Sequence, residues 1–363
     1  MPRKNRGSLP ARFFVDAARR LDYHEAVSFD PLEDMTMHPL SRVPADRPVR
    51  LLPVAALLGL LCFAPVMAEE APTKIAGKQL SILRDQENVI VKQGDQLLLR
   101  YRYAGVPKKP YVAELTSPGG VNVLRDAPAD HLHHHGLMFA WGVDGVDFWG
   151  EAADAGLEVH KAWEGLQVQS GRRAEQAVLH ERLFWQTADG KVLLEERRSL
   201  TIPAAADGRP RVLVWQADFT PGKDATAART IFGSKYHGLG MRFITPMDAG
   251  GRHFNASGGT DVEGTNGKRA AWTAYTAQVS PDKKVTVVML SDPANPRHPC
   301  EWFTMGEKEG FAYLSGTLGV GTEPLKLEPG GKLSVRFAVA VFDGAADAEQ
   351  VNAIAGRMPW TPK

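Results

Sequence analysis

The sequence predicts an all-β fold: a large antiparallel sandwich of two sheets, with one short C-terminal helix. Three observations predict it. Long runs rich in Val, Leu and aromatic residues recur between turn-forming residues, one of those turns has hairpin character, and a single stretch reads as helical. Residues 69–363 show no composition break, fixed-period repeat or low-complexity tract, so one domain is expected there. Many long strands in one domain favour a sandwich over a small barrel. Two smaller sandwiches in tandem are the alternative.

In chain order, Gln96–Tyr103 (QLLLRYRY) ends in the alternation of a half-buried strand. Glu175–Thr187 and Lys191–Ile202 are strand-like runs, and Ala188-Asp189-Gly190 between them predicts a hairpin. Arg211–Thr220, Lys284–Leu290 and Leu333–Phe342 complete the long strands, with turns at Pro118-Gly119-Gly120, Asp207-Gly208 and Pro329-Gly330-Gly331. Ala345–Met358, after Asp343-Gly344, is the helical stretch. Glu195-Glu196-Arg197-Arg198 puts one acid and one base on each face of its strand, which predicts a paired, solvated face.

Residues 1–68 read differently. Leu51–Ala64 is an apolar run of signal-peptide length, preceded by Arg42, Arg47 and Arg50 and followed by Val66-Met67-Ala68, which suits a signal peptidase. Cleavage is expected after Ala68, giving a periplasmic or secreted protein. About 50 residues ahead of such a core is unusual, and Met35 and Met37 offer later starts, so residues 1–34 read as an over-extended start. A cytoplasmic tail followed by a membrane anchor is the alternative. Leu61 before Cys62 does not suit lipidation, and cleavage leaves Cys300 without a disulfide partner. The mature chain carries 34 basic and 35 acidic residues. That balance provides no field for nucleic acid and no polybasic membrane patch. A small, largely uncharged substrate is expected, with no membrane insertion after cleavage. The oligomeric state is open.

His131-Leu132-His133-His134-His135-Gly136 holds four of the 11 histidines and follows Asp130. Imidazole is both the usual metal ligand and the usual acid–base group near neutral pH. On a strand, His131, His133 and His135 would share a face. Such a pattern can hold one divalent metal ion, with His160 as a further ligand and an open position for Lewis-acid chemistry. Without a metal, Asp130 could orient an imidazole as general acid or base. A polar loop with structural histidines is the third reading.

Two other segments are candidates for holding substrate. Asp292–Trp302 has three prolines and is a rigid loop, where Asn295, Arg297, His298 and Trp302 would make a sugar-binding set with an aromatic platform. It reads equally as a structural crossover. Gly233–Arg242 offers Lys235, His237 and Arg242 beside glycines, or is a turn entering a strand. Its spacing matches no phosphate loop, and no nucleotide cofactor is expected. There is no G-x-S-x-G elbow, and Cys300 beside Glu301 is a poor nucleophile. Gly145–Trp149 should pack its aromatics, with Asp147 and Glu151 as weak ligand candidates.

Asp130-His-Leu-His-His-His-Gly-Leu137, followed by Val143-Asp-Gly-Val-Asp-Phe-Trp149, resembles the D-H-P-H-H-R-G-L … V-N-G-V-D-F-W signature of the bacterial PmoA-like family, a domain of unknown function. Gly238–Arg242, Asn255–Gly258 and Asp292–Pro299 extend the resemblance over nearly the whole mature chain. Leu132 stands where the pattern has proline and His135 where it has arginine. By position, His131, His133 and His134 carry the family role. The label methane oxygenase attached to the family does not suit a chain with no membrane-spanning stretch after residue 68. The resemblance implies genomic company with sugar oxidoreductases and keto-sugar enzymes, and a supersandwich similar to galactose mutarotase.

The expectation is an exported carbohydrate lyase, hydrolase or epimerase acting on a glycoside or keto-sugar. His131, His133, His134 and Asp130 would be catalytic or, for the three histidines, metal-binding. A non-catalytic carbohydrate-binding protein and a metal-dependent oxygenase are the alternatives.

Overall fold

The computed structural model describes residues 72–171, 174–206 and 208–360. The signal peptide, its cleavage site and the start expected within residues 1–68 lie outside the described residues, as does Asp207 of one predicted turn. Two large antiparallel sheets carry the fold, one of ten strands and one of eight, with a small four-stranded sheet beside them. The predicted hairpin forms: Glu175–Gln186 pairs with Val192–Pro203 in antiparallel register, Trp185 opposite Leu194. The eight-stranded sheet also takes in Arg211–Pro221, Lys283–Ser291 and Leu333–Asp343, the other long runs. Among the described residues no helix is long and apolar enough to cross a membrane.

Helix is confined to short pieces. The C-terminal one is Ala348–Ala355, shorter than the apolar pattern at Ala345–Met358. Its N-cap Asp347 accepts from the Gln350 backbone N–H at 2.8 Å, so the helix begins where that cap sits. A second helix, Asp261–Thr265, was not expected and is too short for periodicity to reveal.

Aromatic side chains from the two sheets meet between them. Phe139 and Trp141, at the end of Leu137–Ala140 in the ten-stranded sheet, contact Phe219 and Trp185 of the other sheet at ring centroids 5.0 to 6.4 Å apart. All four are fully buried. Area removed from water at roughly 25 cal/mol per Å² makes such rings the largest single contributors to the core.

The same interior holds a charge, which corrects the expectation of a solvated face at Glu195–Arg198. Glu196 and Arg198 do share a face, but it points inward and both are buried. The Arg198 guanidinium donates to Glu196 at 2.7 and 2.8 Å, to Glu158 at 2.9 Å, to the Tyr101 hydroxyl at 3.0 Å and to the Pro110 carbonyl at 3.1 Å. It lies 4.7 Å from the Trp215 ring centroid. Trp185 donates to Glu196, and the Tyr101 hydroxyl donates to Glu181. Tyr101 and Pro110 belong to the ten-stranded side and the carboxylates to the eight-stranded sheet, so Arg198 ties the two together. Removing one partner from a buried ionic network leaves the others unpaired in low dielectric. Arg198→Met is therefore expected to lower unfolding free energy by about 3–5 kcal/mol in a urea titration; a loss below about 1 kcal/mol, typical of exposed pairs, would contradict this account.

Candidate functional site

The histidine segment is a loop, not a strand. It is pinched at its base, where the Ala127 N–H donates to the His134 carbonyl at 2.9 Å. Inside it the His131 N–H donates to Pro128 O and the His134 N–H to His131 O, two successive turns. Turns break the two-residue alternation. His131, His133 and His134 consequently cluster: the His131 and His134 rings stack at 4.6 Å, and His133 meets them edge-on at 5.7 and 4.6 Å. Gly136 closes the loop at φ 44° against the Val112 carbonyl, which would lie 2.2 Å from any Cβ placed there. Only glycine fits that approach.

His135 leaves the cluster. Its Nδ1 meets Asp126 at 2.6 Å, its Nε2 meets Glu151 at 2.7 Å, and its ring stacks on Tyr111 at 4.6 Å. Burial works to lower its pKa, but the two carboxylates prevail and raise it. Lys109 is buried beside it, donating to the Trp149 carbonyl at 2.9 Å, with Glu151 at 3.9 Å. Burial lowers the Lys109 pKa against the pull of Glu158 and Glu151.

Asp130 sits at the loop mouth. Its Oδ2 accepts from Arg242 Nη2 at 2.8 Å and faces His131 Nδ1 at 3.2 Å. Burial works to raise the Asp130 pKa, and the hydrogen bonds from His131 and Arg242 outweigh it, holding it at about 2. Against an ionised Asp130, Nδ1 of His131 is the donor, which leaves Nε2 as the acceptor. Burial holds His134 down at about 2 and His237 at about 4, and it also lowers His133. Arg242 is buried against Phe311, 3.7 Å from its ring centroid. Trp149, His237 and Tyr313 pack around His134: Trp149 stacks on His237 at 5.0 Å and Tyr313 lies 5.1 Å from His134. None of these three stood out in the sequence as a site residue except His237, because strands distant in sequence bring them together.

Other expected residues lie elsewhere or are committed. His160 is in the eight-stranded sheet, bonded to Glu181 at 2.7 Å and packed on Tyr103 and Trp163. It is no partner of the loop histidines. Trp302 is fully buried and its indole N–H donates to the Ala270 carbonyl, so it offers no platform. Asn295 exchanges two bonds with the Arg336 backbone, and Arg297 donates to the carbonyls of Leu318 and Glu323. His298 faces the Ser291 hydroxyl at 3.4 Å. The proline loop is thus a structural crossover. Lys235 is exposed, 5.6 Å from the Phe303 ring, next to Tyr236, which contacts Trp149. Clefts of about 510 and 300 Å³ lie elsewhere and share no residue with the loop.

The residues as placed do not fit a metal ion. Among the described residues no three His, Cys, Asp or Glu side chains are grouped to hold one. The His131 and His134 planes are within 11°, so their in-plane lone pairs run side by side rather than converging. One ion would need each nitrogen at about 2.0–2.1 Å. What the arrangement can do is move protons: an ionised carboxylate orients an accessible imidazole, with neutral imidazoles and an arginine behind it.

The buried neutral histidines also set the acid response. An unfolded histidine takes its proton near 6.5, whereas His237 and His253 resist until about 4. Between those values the unfolded chain binds more protons, so stability falls as pH drops. These histidines lower the melting temperature from about pH 6.5 toward pH 4. Glu158, whose pKa burial raises to about 8, opposes them above its ordinary value, and His253→Phe should shift the wild-type slope toward greater stability at the acid end. An unchanged slope would show that His253 is not a source of it.

Among curated proteins there is no match to this chain. Solved structures similar to it include an α-galactosidase from Lactobacillus brevis, at 8% identity and a TM-score of 0.43, covering 78% of this chain and 41% of that one. A GH36 α-galactosidase from Geobacillus stearothermophilus has 9% identity and a TM-score of 0.36, covering 75% and 40%. A galactose mutarotase related enzyme from Lactobacillus acidophilus has 8% identity and a TM-score of 0.34, covering 76% and 98%. The chain spans about two fifths of the length of those α-galactosidases. Likenesses this loose say nothing about activity. The family of unknown function DUF6807 matches over residues 88–356, most of the sequence, and the chain belongs to that family.

Proposed function

We infer that this protein is an exported enzyme that performs acid–base chemistry on a glycoside or keto-sugar, with His131 as the proton-transferring group. One observation carries the chemistry: the Asp130 carboxylate is shared by Arg242 at 2.8 Å and His131 at 3.2 Å, at the mouth of a cluster of buried imidazoles. The carbohydrate class is supported by the resemblance of Asp130–Leu137 and Val143–Trp149 to the PmoA-like signature and that family's company of keto-sugar enzymes. Export rests on the apolar run Leu51–Ala64.

The chemistry follows from the pair. His131 Nε2 takes a proton from the carbon beside a sugar carbonyl, and the C–H electron pair becomes an enediolate. Asp130 keeps the imidazolium oriented while it holds that proton. Either the carbon is reprotonated, which epimerises it, or the pair expels the substituent one carbon further on, and the proton goes to the departing oxygen. Arg242, already turned to Asp130, supplies positive charge near the developing oxyanion.

General acid–base groups contribute about 10²–10⁴-fold to rate. His131→Ala should therefore reduce turnover of 3-keto glycosides by at least ~100-fold while leaving near-UV circular dichroism intact. Full activity in that variant would sink the proposal. Because the imidazoles do not converge on an ion, exhaustive dialysis against EDTA should leave turnover within about twofold; loss restored by one divalent ion would instead return the histidines to a metal role.

A further inference from the structure

Behind the Asp130–His131 pair, five side chains carry buried polar atoms that find no partner in the protein. They are His134 Nδ1, Trp149 Nε1, His237 Nδ1, the Tyr313 hydroxyl, and Nε and Nη1 of Arg242. All five residues are more than nine-tenths buried. They are also contiguous. His134 lies 5.1 Å from Tyr313 and 6.3 Å from Trp149, and Trp149 lies 5.0 Å from His237, by ring centroids. Phe311 bridges Arg242, at 3.7 Å, to His134, at 5.8 Å. Folded proteins leave few buried polar atoms unpaired. Six of the fifteen such atoms among the described residues fall in this one patch.

Central strands build the patch. Gly238–Arg242 runs between Leu137–Ala140 and Tyr313–Thr317, with Arg242 opposite Tyr313. Gly240 leaves the space that the others use. A Cβ there would stand 2.0 Å from the Tyr313 hydroxyl and 3.1 Å from the Trp149 ring. The Tyr313 hydroxyl and the Trp149 ring therefore pack directly over a glycine floor.

We propose that these five side chains form a subsite that holds the hydroxyl groups of an uncharged sugar ring. The inference rests on the carbohydrate reading above and narrows it. Indole N–H and guanidinium only donate, the phenol does both, and each neutral imidazole presents one nitrogen as donor or acceptor. A hydroxyl also does both, so a polyol satisfies the mixed set where a purely accepting anion leaves acceptors idle. Charge points the same way. Arg242 is paired with Asp130, Lys109 lies near Glu151, and His135 lies between Asp126 and Glu151. Asp147 adds a further carboxylate that acts on Lys109 and His237. Counting Arg102, 3.9 Å from Asp126, four cations thus face four carboxylates, and none of these cations is left unmatched for a phosphate or uronate. Sites that bury groups meant to bond substrate hydroxyls discriminate strongly when those bonds are lost.

The test is calorimetric titration of the full-length protein with methyl α- and β-glucosides and galactosides, methyl 3-keto-glucoside, glucuronate and glucose 6-phosphate. At least one neutral glycoside should bind, and the two anions should bind at least tenfold more weakly. Tyr313→Phe and Trp149→Phe should each weaken the neutral ligand at least tenfold. Binding that survives Tyr313→Phe and Trp149→Phe unchanged would overturn the subsite, as would anions binding as tightly as neutral sugars. Failure of every neutral sugar to bind would leave the polar atoms to buried water alone and would also overturn it. Turnover lost in His131→Ala speaks to the acid–base role, whereas binding lost in Tyr313→Phe speaks to the subsite, so each can fail without the other.

Discussion

A guanidinium sealed from water organises this protein. Arg198 cannot shed its charge, so its surroundings must supply carboxylates and carbonyls in fixed places. Glu196 supplies a two-pronged carboxylate, Glu158 a second carboxyl whose pKa burial raises to about 8, and Tyr101 and Pro110 supply contacts from the opposite sheet. Pro110 matters most for the site, because it lies between Lys109 and Tyr111. Fixing its carbonyl fixes the residue that carries the buried ammonium and the one that stacks on His135. The inter-sheet clamp and the histidine loop are thus two ends of one polar chain, running from Arg198 through residues 109–111 to Asp126 and His135.

Within the loop the four histidines divide by what they touch. His135 is held by two carboxylates and anchors the loop to the sheet. His134 is buried among aromatic rings and stays neutral. His131 alone combines substantial exposure with a carboxylate partner, 37% of its side chain being accessible. The same residue type is therefore anchor, buried wall and exposed carboxylate partner within five positions, because two turns send successive side chains to different neighbours.

How much of this was legible in the sequence depends on the range of the interaction. The long strands and the hairpin at Ala188–Gly190 follow from local alternation and turn chemistry, and both are visible without a fold. Alternation also grouped Glu196 with Arg198. It could not say which face meets the other sheet, so an interior ion network read as a solvated one. Trp302 failed for the same reason: in Cys300–Met305 the pattern alone cannot tell a platform from a core residue. The histidine cluster was conspicuous as composition, but the turns that regroup it depend on the closure between residues 126–127 and 134–135. Lys109, Trp149 and Tyr313 were not legible as site residues at all. Each is unremarkable in its own segment, and only the order of strands in the ten-stranded sheet makes them neighbours.

Gly240 and the histidine turn differ in how they tolerate change. The turn is held mainly at its base, and its tip can exchange residues while the sheet stays as it is; Leu132, 64% exposed at that tip, is already a departure of this kind. The packing over Gly240 is set by three central strands and leaves no room for a Cβ, which would stand 2.0 Å from the Tyr313 hydroxyl. Substitutions on this scaffold are therefore tolerated more readily at the tip of the histidine turn than beneath Tyr313 and Trp149.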